Sequence, residues 1–318
     1  MEKAKFVALV GPTASGKSSL ALELAQRFRG EIISADSVQV YRGFDVGTAK
    51  PSVEERRMVP HHLIDILDPD QDYSAALFRA QADHIIRELH KRKTPIFVVG
   101  GTGFYLKVLT RGLFRGPAGN SKLRSALYKK AERNGIEVLH QELQRQDPEA
   151  AWRIHPHDRF RIIRALEVFS LGRKPISLFQ KEHGFREAHY RVLKIGLHCE
   201  RDELYRRIEL RVDRMMEMGW VDEVRALLNQ GYGPGLKSMQ SLGYKNIAAY
   251  LAGGVNLEEA ILLIKRDTRR YAKRQITWFK ADPEIDWFPT NQESFQNIEE
   301  RVKSFLKQIL PEGSRNVS

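Results

Sequence analysis

The sequence predicts an α/β protein: a P-loop-containing parallel sheet core with flanking helices and a helical insertion domain. Strand-like runs at 6–10, 31–34, 62–66 and 96–99 alternate with helical patterns near 18–28 and 73–93, the order that yields parallel strands with helices on both faces. A glycine-rich segment directly follows the first run, as a phosphate-binding turn requires. After Gly112 the strands stop, and a loop containing Gly116, Pro117 and Gly119 leads into charged, helical sequence that lasts to about Gln180. Residues 116–189 are therefore expected to form the insertion, and 1–115 with 190–318 the core.

The first run, Phe6-Val-Ala-Leu-Val10, reads as a buried strand. Gly11, Pro12, Thr13, Ala14, Ser15, Gly16, Lys17 and Ser18 then give G-x-x-x-x-G-K-S, and the helical pattern begins at Ser19. This spacing lets backbone N–H groups wrap a diphosphate at a helix N-terminus, with Lys17 on the phosphate oxygens and Ser18 on Mg2+. The plain alternative is a strand-to-helix turn without a ligand, and the agreement of motif with flanks favours the phosphate site.

In open α/β sheets the chemistry sits beyond the strand ends on the phosphate-loop side. After Ile32-Ile33 the chain reads Ser34-Ala-Asp-Ser37, which puts Asp36 near the cradle as a general base, a group that helps order magnesium, or a turn former. After Ile96–Val99 comes Gly100-Gly-Thr-Gly103, where the Thr102 hydroxyl is within reach of a phosphate. Asp65, after an apolar pair, imitates a magnesium aspartate, and His61 and His62 beside it suggest a metal. Structural roles are expected for all three, because adjacent histidines in a strand point to opposite faces.

The later part of the chain returns to a strand at 192–197, continues through helices from Arg201 to Phe279, and ends in a short strand at 285–288 and a terminal helix. The tail from Pro311 to Ser318 is polar and expected to fray. Cys199, the only cysteine, excludes an intrachain disulfide and a cysteine zinc site and fits a reducing compartment. It is expected to be a strand residue rather than a nucleophile.

With 318 residues, 42% of them hydrophobic, the chain can bury the core of one large or two modest domains. No apolar run approaches the length of a membrane span, and Met1-Glu-Lys-Ala-Lys5 leads into a strand rather than a signal-peptide hydrophobic region. A cytoplasmic protein without membrane partners is expected. The 52 Lys and Arg against 40 Asp and Glu leave a net charge of +12, which favours a polyanionic partner, a long nucleic acid above all. Between Ala260 and Lys280, Arg266, Arg270, Lys273 and Arg274 recur at spacings of three and four, with Tyr271, Trp278 and Phe279 among them. A second cluster, Arg159-Phe-Arg-Ile-Ile-Arg164, combines arginines with core-facing isoleucines.

Six blocks occur in order: the phosphate loop, Ser34-Ala-Asp-Ser37 with Gln39-Val-Tyr41, Asp45-Val-Gly-Thr-Ala-Lys50, Val99-Gly-Gly-Thr102, Arg164-Ala-Leu-Glu167 and Lys273-Arg-Gln-Ile-Thr-Trp278. With them the chain resembles the bacterial tRNA dimethylallyltransferases, the IPP transferase family, from about Val7 to Phe279. The resemblance implies transfer of a dimethylallyl group from its diphosphate to the exocyclic amine of the adenosine 3′ of the anticodon, releasing diphosphate. It implies that the cradle holds the prenyl diphosphate rather than ATP, that Asp36 is the base, and that Lys17, Arg211 and Thr102 act with it, with Mg2+ as cofactor. Thr13 and Ser15 would line the site. The implied tRNA contacts are Asp36, Ser37, Val38 and Gln39; Thr102 and Arg124; and Phe160, Arg161, Ile162, Ile163 and Arg164. They continue through Gln240, Ser241, Leu242, Gly243, Tyr244 and Lys245 to Lys273, Arg274, Gln275, Ile276, Thr277, Trp278, Phe279 and Lys280. The adenosine must be flipped out of its stack to reach a strand-end pocket, and the insertion is expected to close over the anticodon arm of a tRNA bound by a monomer. With its single cysteine the chain resembles the shorter bacterial form, which lacks the zinc finger of eukaryotic relatives. Two other functions share the cradle: a P-loop small-molecule kinase, and a prenyltransferase acting on free adenine nucleotides.

Overall fold

Strand β1, Lys5–Val10, is buried along its whole length, and its residues alternate between two cores. Phe6, Ala8 and Val10 join one cluster, Val7 and Leu9 the other. That alternation requires helices on both faces of the sheet. The computed structural model describes residues 3–307; the tail from Pro311 to Ser318 lies outside them. In chain order the elements are α1 Lys17–Phe28, β2 Glu31–Ser34, α2 Val53–Met58, β3 His61–His62, α3 Ala75–Lys91, β4 Ile96–Val99 and α4 Gly103–Arg111. Then come α5 Ser121–Asn134, α6 Ile136–Gln146, α7 Pro148–Arg153, α8 Arg159–Gly172 and α9 Ile176–His183. The chain closes with β5 Arg191–His198, α10 Arg201–Glu217, α11 Trp220–Asn229, α12 Tyr244–Leu251, α13 Leu257–Lys280, β6 Ile285–Pro289 and α14 Gln292–Lys307.

The six strands form one sheet in the order β3-β2-β4-β1-β5-β6, every pair parallel. Helices α1 and α14 cover one face with Leu20, Leu24, Ile298 and Val302; α3, α11, α12 and α13 contribute Phe78, Ile86, Trp220, Tyr244 and Ile264 to the other. One expected strand is cut short. The run 62–66 leaves the sheet after His62 because Leu63 and Asp65 take left-handed φ values of 63° and 54°, which a strand cannot accommodate.

Two compact units result. Residues 1–110 with 189–318 carry the sheet, and 111–188 form a second, helical unit. The helical unit has its own core of Leu127, Leu139, Leu143, Ile162, Ile163 and Leu166, and three of its helices begin with side-chain caps, Asn120 for α5, Asp147 for α7 and Asp158 for α8. Each cap satisfies a backbone N–H that the helix itself leaves unpaired.

Candidate active site

β1 delivers the chain to the carboxyl edge of the sheet, and six residues separate it from α1. The loop between them depends on positive φ at Gly11 (146°), Ala14 (63°) and Gly16 (83°). A Cβ on Gly11 would stand 2.8 Å from the Leu197 carbonyl oxygen of β5, so only glycine lets the loop start there. Lys17 Nζ donates to the Pro12 carbonyl at 3.2 Å, and Thr290 Oγ1 donates to the Ser15 carbonyl at 3.3 Å. Ser15 Oγ is buried without a hydrogen-bond partner among the described residues. Ser18 is exposed in the first turn of α1, where N–H groups have no helical carbonyl to pair with. Loop and helix end together make an anion-binding concavity.

Burial pushes the Lys17 ammonium down to about 8; the positive charge of Arg211 adds to this, and Asp36 opposes it. Arg211, on α10, is likewise lowered by burial and supported by Asp36. Neither cation forms an ion pair among the described residues. Asp36, just past β2, uses Oδ1 to accept the N–H groups of Val38 at 2.8 Å and Gln39 at 3.2 Å. It is thus a turn former through one oxygen, and Oδ2 has no protein partner among the described residues. Thr102 opens the turn into α4, its Oγ1 buried and unpartnered. Tyr271 of α13 borders the same group: burial raises its phenol, the Asp36 charge raises it further, and the Thr102 hydroxyl and Gln275 amide act the other way.

Helix α13 is tied to the phosphate loop by Gln275, whose Oε1 accepts the Thr13 N–H at 2.8 Å and whose Nε2 donates to the Gly101 carbonyl at 3.0 Å. A Cβ on Gly101 would meet Gln275 Nε2 at 2.1 Å, and one on Gly103 would meet Trp278 Cδ1 at 2.1 Å. The second glycine-rich turn is therefore shaped to seat α13. Several residues expected to face tRNA are interior instead. Gln275, Phe279, Gly243 and Tyr244 are buried, and the Tyr244 hydroxyl donates to Glu223 at 2.6 Å. Gln39 accepts from Ser34 Oγ and donates to the Thr48 and Ala49 carbonyls. Gln240, Lys245, Lys273, Arg274, Thr277, Trp278 and Lys280 are exposed; Ser37, Val38, Ser241, Leu242 and Ile276 are half-buried.

Other candidates are structural. Asp65 pairs with Lys50 and Arg56, so its carboxylate is spent. His61 Nδ1 meets the Val59 carbonyl, and His62 Nε2 meets Glu31. Among the described residues no three His, Cys, Asp or Glu side chains gather as a metal site. Cys199 lies just beyond β5 rather than in it, packed near Leu204 and Ile208, and burial raises its thiol, the opposite of activation.

A family model described as IPP transferase matches residues 39–282, and one described as isopentenyl transferase matches residues 4–65. The tRNA dimethylallyltransferase 2 of Geotalea uraniireducens is 55% identical over 96% of this chain and 98% of its own. The crystal structure of the tRNA isopentenylpyrophosphate transferase of Bacillus halodurans superposes with a TM-score of 0.72 at 41% identity, covering 96% of this chain and 98% of that one. A eukaryotic dimethylallyltransferase acting on tRNA reaches 0.78 at 26% identity, covering 98% and 81%. The chain belongs to the IPP transferase family.

In this IPP transferase the helical unit carries a charge cluster of its own. Glu167 of α8, fully buried, receives Arg164 at 2.6 Å, the Asn120 N–H at 2.7 Å and Arg124 at 3.2 Å. Burial raises its carboxyl, but Arg164, the Asn120 N–H and Arg124 outweigh that and hold it below the ordinary glutamate range. Arg124 and Arg164, both expected at tRNA, are thus already partnered, and Ile162 and Ile163 are core. Phe160 and Arg161 stay exposed. Sequence reading missed Glu223, which accepts the N–H groups of Asp45, Val46 and Gly47. No local pattern links residues so far apart, so nothing in the sequence announces it. It explains the Asp45–Lys50 block as a turn folded around a distant carboxylate. In the sequence Tyr271 stands only as an aromatic among basic residues, although its helical spacing to Gln275 puts both on one face.

Proposed function

We infer that this chain is a tRNA dimethylallyltransferase, moving a dimethylallyl group from dimethylallyl diphosphate to the exocyclic amine of the adenosine 3′ of the anticodon. One observation carries the chemistry: Lys17 and Arg211 lie half-buried beside the phosphate loop with no ion pair among the described residues, next to an Asp36 carboxylate with one free oxygen. Partly desolvated cations without partners call for an anion from outside, and a diphosphate supplies one. As the carbon–oxygen bond of the donor breaks and the carbon–nitrogen bond forms, charge grows on the diphosphate, where Lys17, Arg211 and the loop N–H groups stabilise it. The amine proton passes to Asp36 Oδ2. Thr13 and Ser15 line the loop, and Thr102 completes the wall.

Mg2+ fits this donor set. It is commonly held by one or two protein oxygens together with substrate phosphates, and the exposed Ser18 hydroxyl offers one such oxygen, consistent with no all-protein carboxylate cage among the described residues. When bound it would neutralise charge on the departing diphosphate. The exposed Gln240, Lys245, Lys273, Arg274, Thr277, Trp278 and Lys280, with Phe160, Arg161 and the outward parts of Arg124 and Arg164, are the proposed tRNA surface. Its cations would meet phosphates and its aromatics unstacked bases. On this reading the enzyme works as a monomer in the cytoplasm, and the helical unit closes on the anticodon arm. A kinase is not favoured, since Asp65 is held by Lys50 and Arg56.

Incorporation of radiolabelled dimethylallyl diphosphate into unmodified tRNA with magnesium, beside adenosine monophosphate as acceptor and an ATP-hydrolysis assay, tests this directly. Label in tRNA alone is expected. Label in the free nucleotide would make the enzyme a small-molecule prenyltransferase, and ATP turnover alone would make it a kinase. Asp36→Asn, which keeps an oxygen for the Val38 and Gln39 N–H groups, should lose about 10²–10⁴ in kcat with tRNA affinity retained; parallel loss of binding would assign Asp36 to structure.

A further inference from the structure

The reacting corner holds one polar side chain that the transfer chemistry leaves unused. Tyr271 sits one turn before Gln275 on α13, and Gln275 is locked to both the phosphate loop and the β4 turn. The phenol is therefore fixed by the same helix that closes the site. Its neighbours are the Asp36 carboxylate, the Thr102 hydroxyl and the Gln275 amide, and the Arg274 guanidinium lies 5.8 Å from its ring centroid. Thr102 Oγ1 is buried without a partner, and Asp36 spends only Oδ1 on its turn. The corner thus presents a pure acceptor, Asp36 Oδ2, beside hydroxyl donors. A buried hydroxyl is rarely left unpaired in a finished structure, which marks that of Thr102 as awaiting a ligand, with the half-buried Tyr271 phenol beside it.

Resting on the tRNA-prenylation reading above, we propose that Tyr271 is the residue that reads the acceptor base, donating its hydroxyl proton to the ring N1 of adenine while Asp36 accepts from the adjacent exocyclic amine. The Watson–Crick edge of adenine sets a donor, N6–H, beside an acceptor, N1; guanine reverses both, with O6 an acceptor and N1–H a donor. A carboxylate facing a guanine O6 is repulsive, whereas the phenol oxygen can turn to accept from N1–H, so the carboxylate carries the rejection of guanine and the phenol adds affinity for adenine. Selection for adenine then comes from the groups that run the reaction, not from a separate pocket. Burial and the Asp36 charge keep the phenol protonated across the neutral range, so the donor is always available.

The test crosses an enzyme atom with a substrate atom. Wild type and Tyr271→Phe are each assayed on two anticodon stem–loop RNAs, one with adenosine and one with 1-deazaadenosine at the target position. The wild type should lose about tenfold in kcat/KM when N1 is removed, as for one neutral hydrogen bond. Tyr271→Phe should lose about as much on adenosine and nothing further on 1-deazaadenosine, with KM for dimethylallyl diphosphate and melting temperature unchanged. Losses that multiply independently would overturn the assignment, because a merely structural tyrosine cannot cancel the N1 effect. No loss in the wild type on removing N1 would overturn it without any variant. No label in either RNA with wild type would remove the tRNA reading itself, and this assignment with it.

Discussion

Two groups of buried or half-buried cations in this protein meet opposite fates. In the helical unit, Arg124 and Arg164 converge on Glu167, and both cations find their partner within the chain. Beside the phosphate loop, Lys17 and Arg211 share the field of one aspartate, form no ion pair, and both lose proton affinity to burial. The difference separates charge that holds a fold from charge that waits for a substrate. A fold can retain an unpaired buried cation at a cost in stability, and enzymes accept that cost where the missing anion is the ligand.

Removing Arg211 should give the largest effect. Arg211→Ala is expected to lower kcat/KM for dimethylallyl diphosphate by about 10²–10³, the loss typical of one charge-stabilising donor, while the melting temperature holds or rises. A large fall in melting temperature would place Arg211 with the structural arginines and break the contrast. In the helical unit the opposite is expected: Glu167→Gln leaves two arginines facing a neutral amide and should cost about 3 kcal/mol of stability. The sign with pH follows. Because the folded carboxyl sits below its unfolded value, its contribution is full above the ordinary glutamate range and fades as pH falls through the folded value. Acid unfolding of the wild type should therefore show a slope that Glu167→Gln lacks.

Much of this architecture is legible in the sequence. The phosphate loop, Asp36 and the alternating strands are local patterns, fixed by spacing and by the geometry of single turns. What stayed hidden depends on residues distant in sequence. Gln275 lay in a segment expected to touch tRNA, yet its amide is spent on Thr13 and Gly101, 262 and 174 residues away. Lys265 and Arg269 lie in the same basic stretch as Arg266 and Arg270, yet they pair with Asp213 and Glu209 of α10. A helical pattern gives the angle of a residue on its own helix and says nothing about which neighbour covers that face. The run 62–66 failed differently, because its two left-handed residues are ordinary strand formers or turn residues by composition and only the Lys50 and Arg56 contacts explain the bend at Asp65.

The phosphate-loop pair also carries a pH signature that the Glu167 cluster cannot have. Burial holds Lys17 down to about 8 in the free protein, and a bound polyanion would raise that value, so binding takes up a proton above pH 8. Affinity for inorganic diphosphate should then fall up to about tenfold per pH unit above 8. Lys17→Arg, which does not titrate in this range, should flatten the profile; a wild-type profile flat to pH 9.5 would mean that Lys17 is not the group that meets the anion.

The smallest effect belongs to the surface that neither group describes. Arg266 and Arg270 reach for Asp267, at 3.0 Å and 3.7 Å, so part of their charge is already answered. Lys273 and Arg274 are exposed and face no carboxylate among the described residues. If free charge is what marks a cation for a polyanion, these two and not the first two should release counterions when tRNA binds. Lys273→Ala with Arg274→Ala should reduce the slope of log affinity for tRNA against log salt by about 1.5. Arg266→Ala with Arg270→Ala should change it less. Equal changes from the two pairs would mean that a surface aspartate does not withhold an arginine from a phosphate, and the rule drawn from the buried clusters would stop at the protein surface.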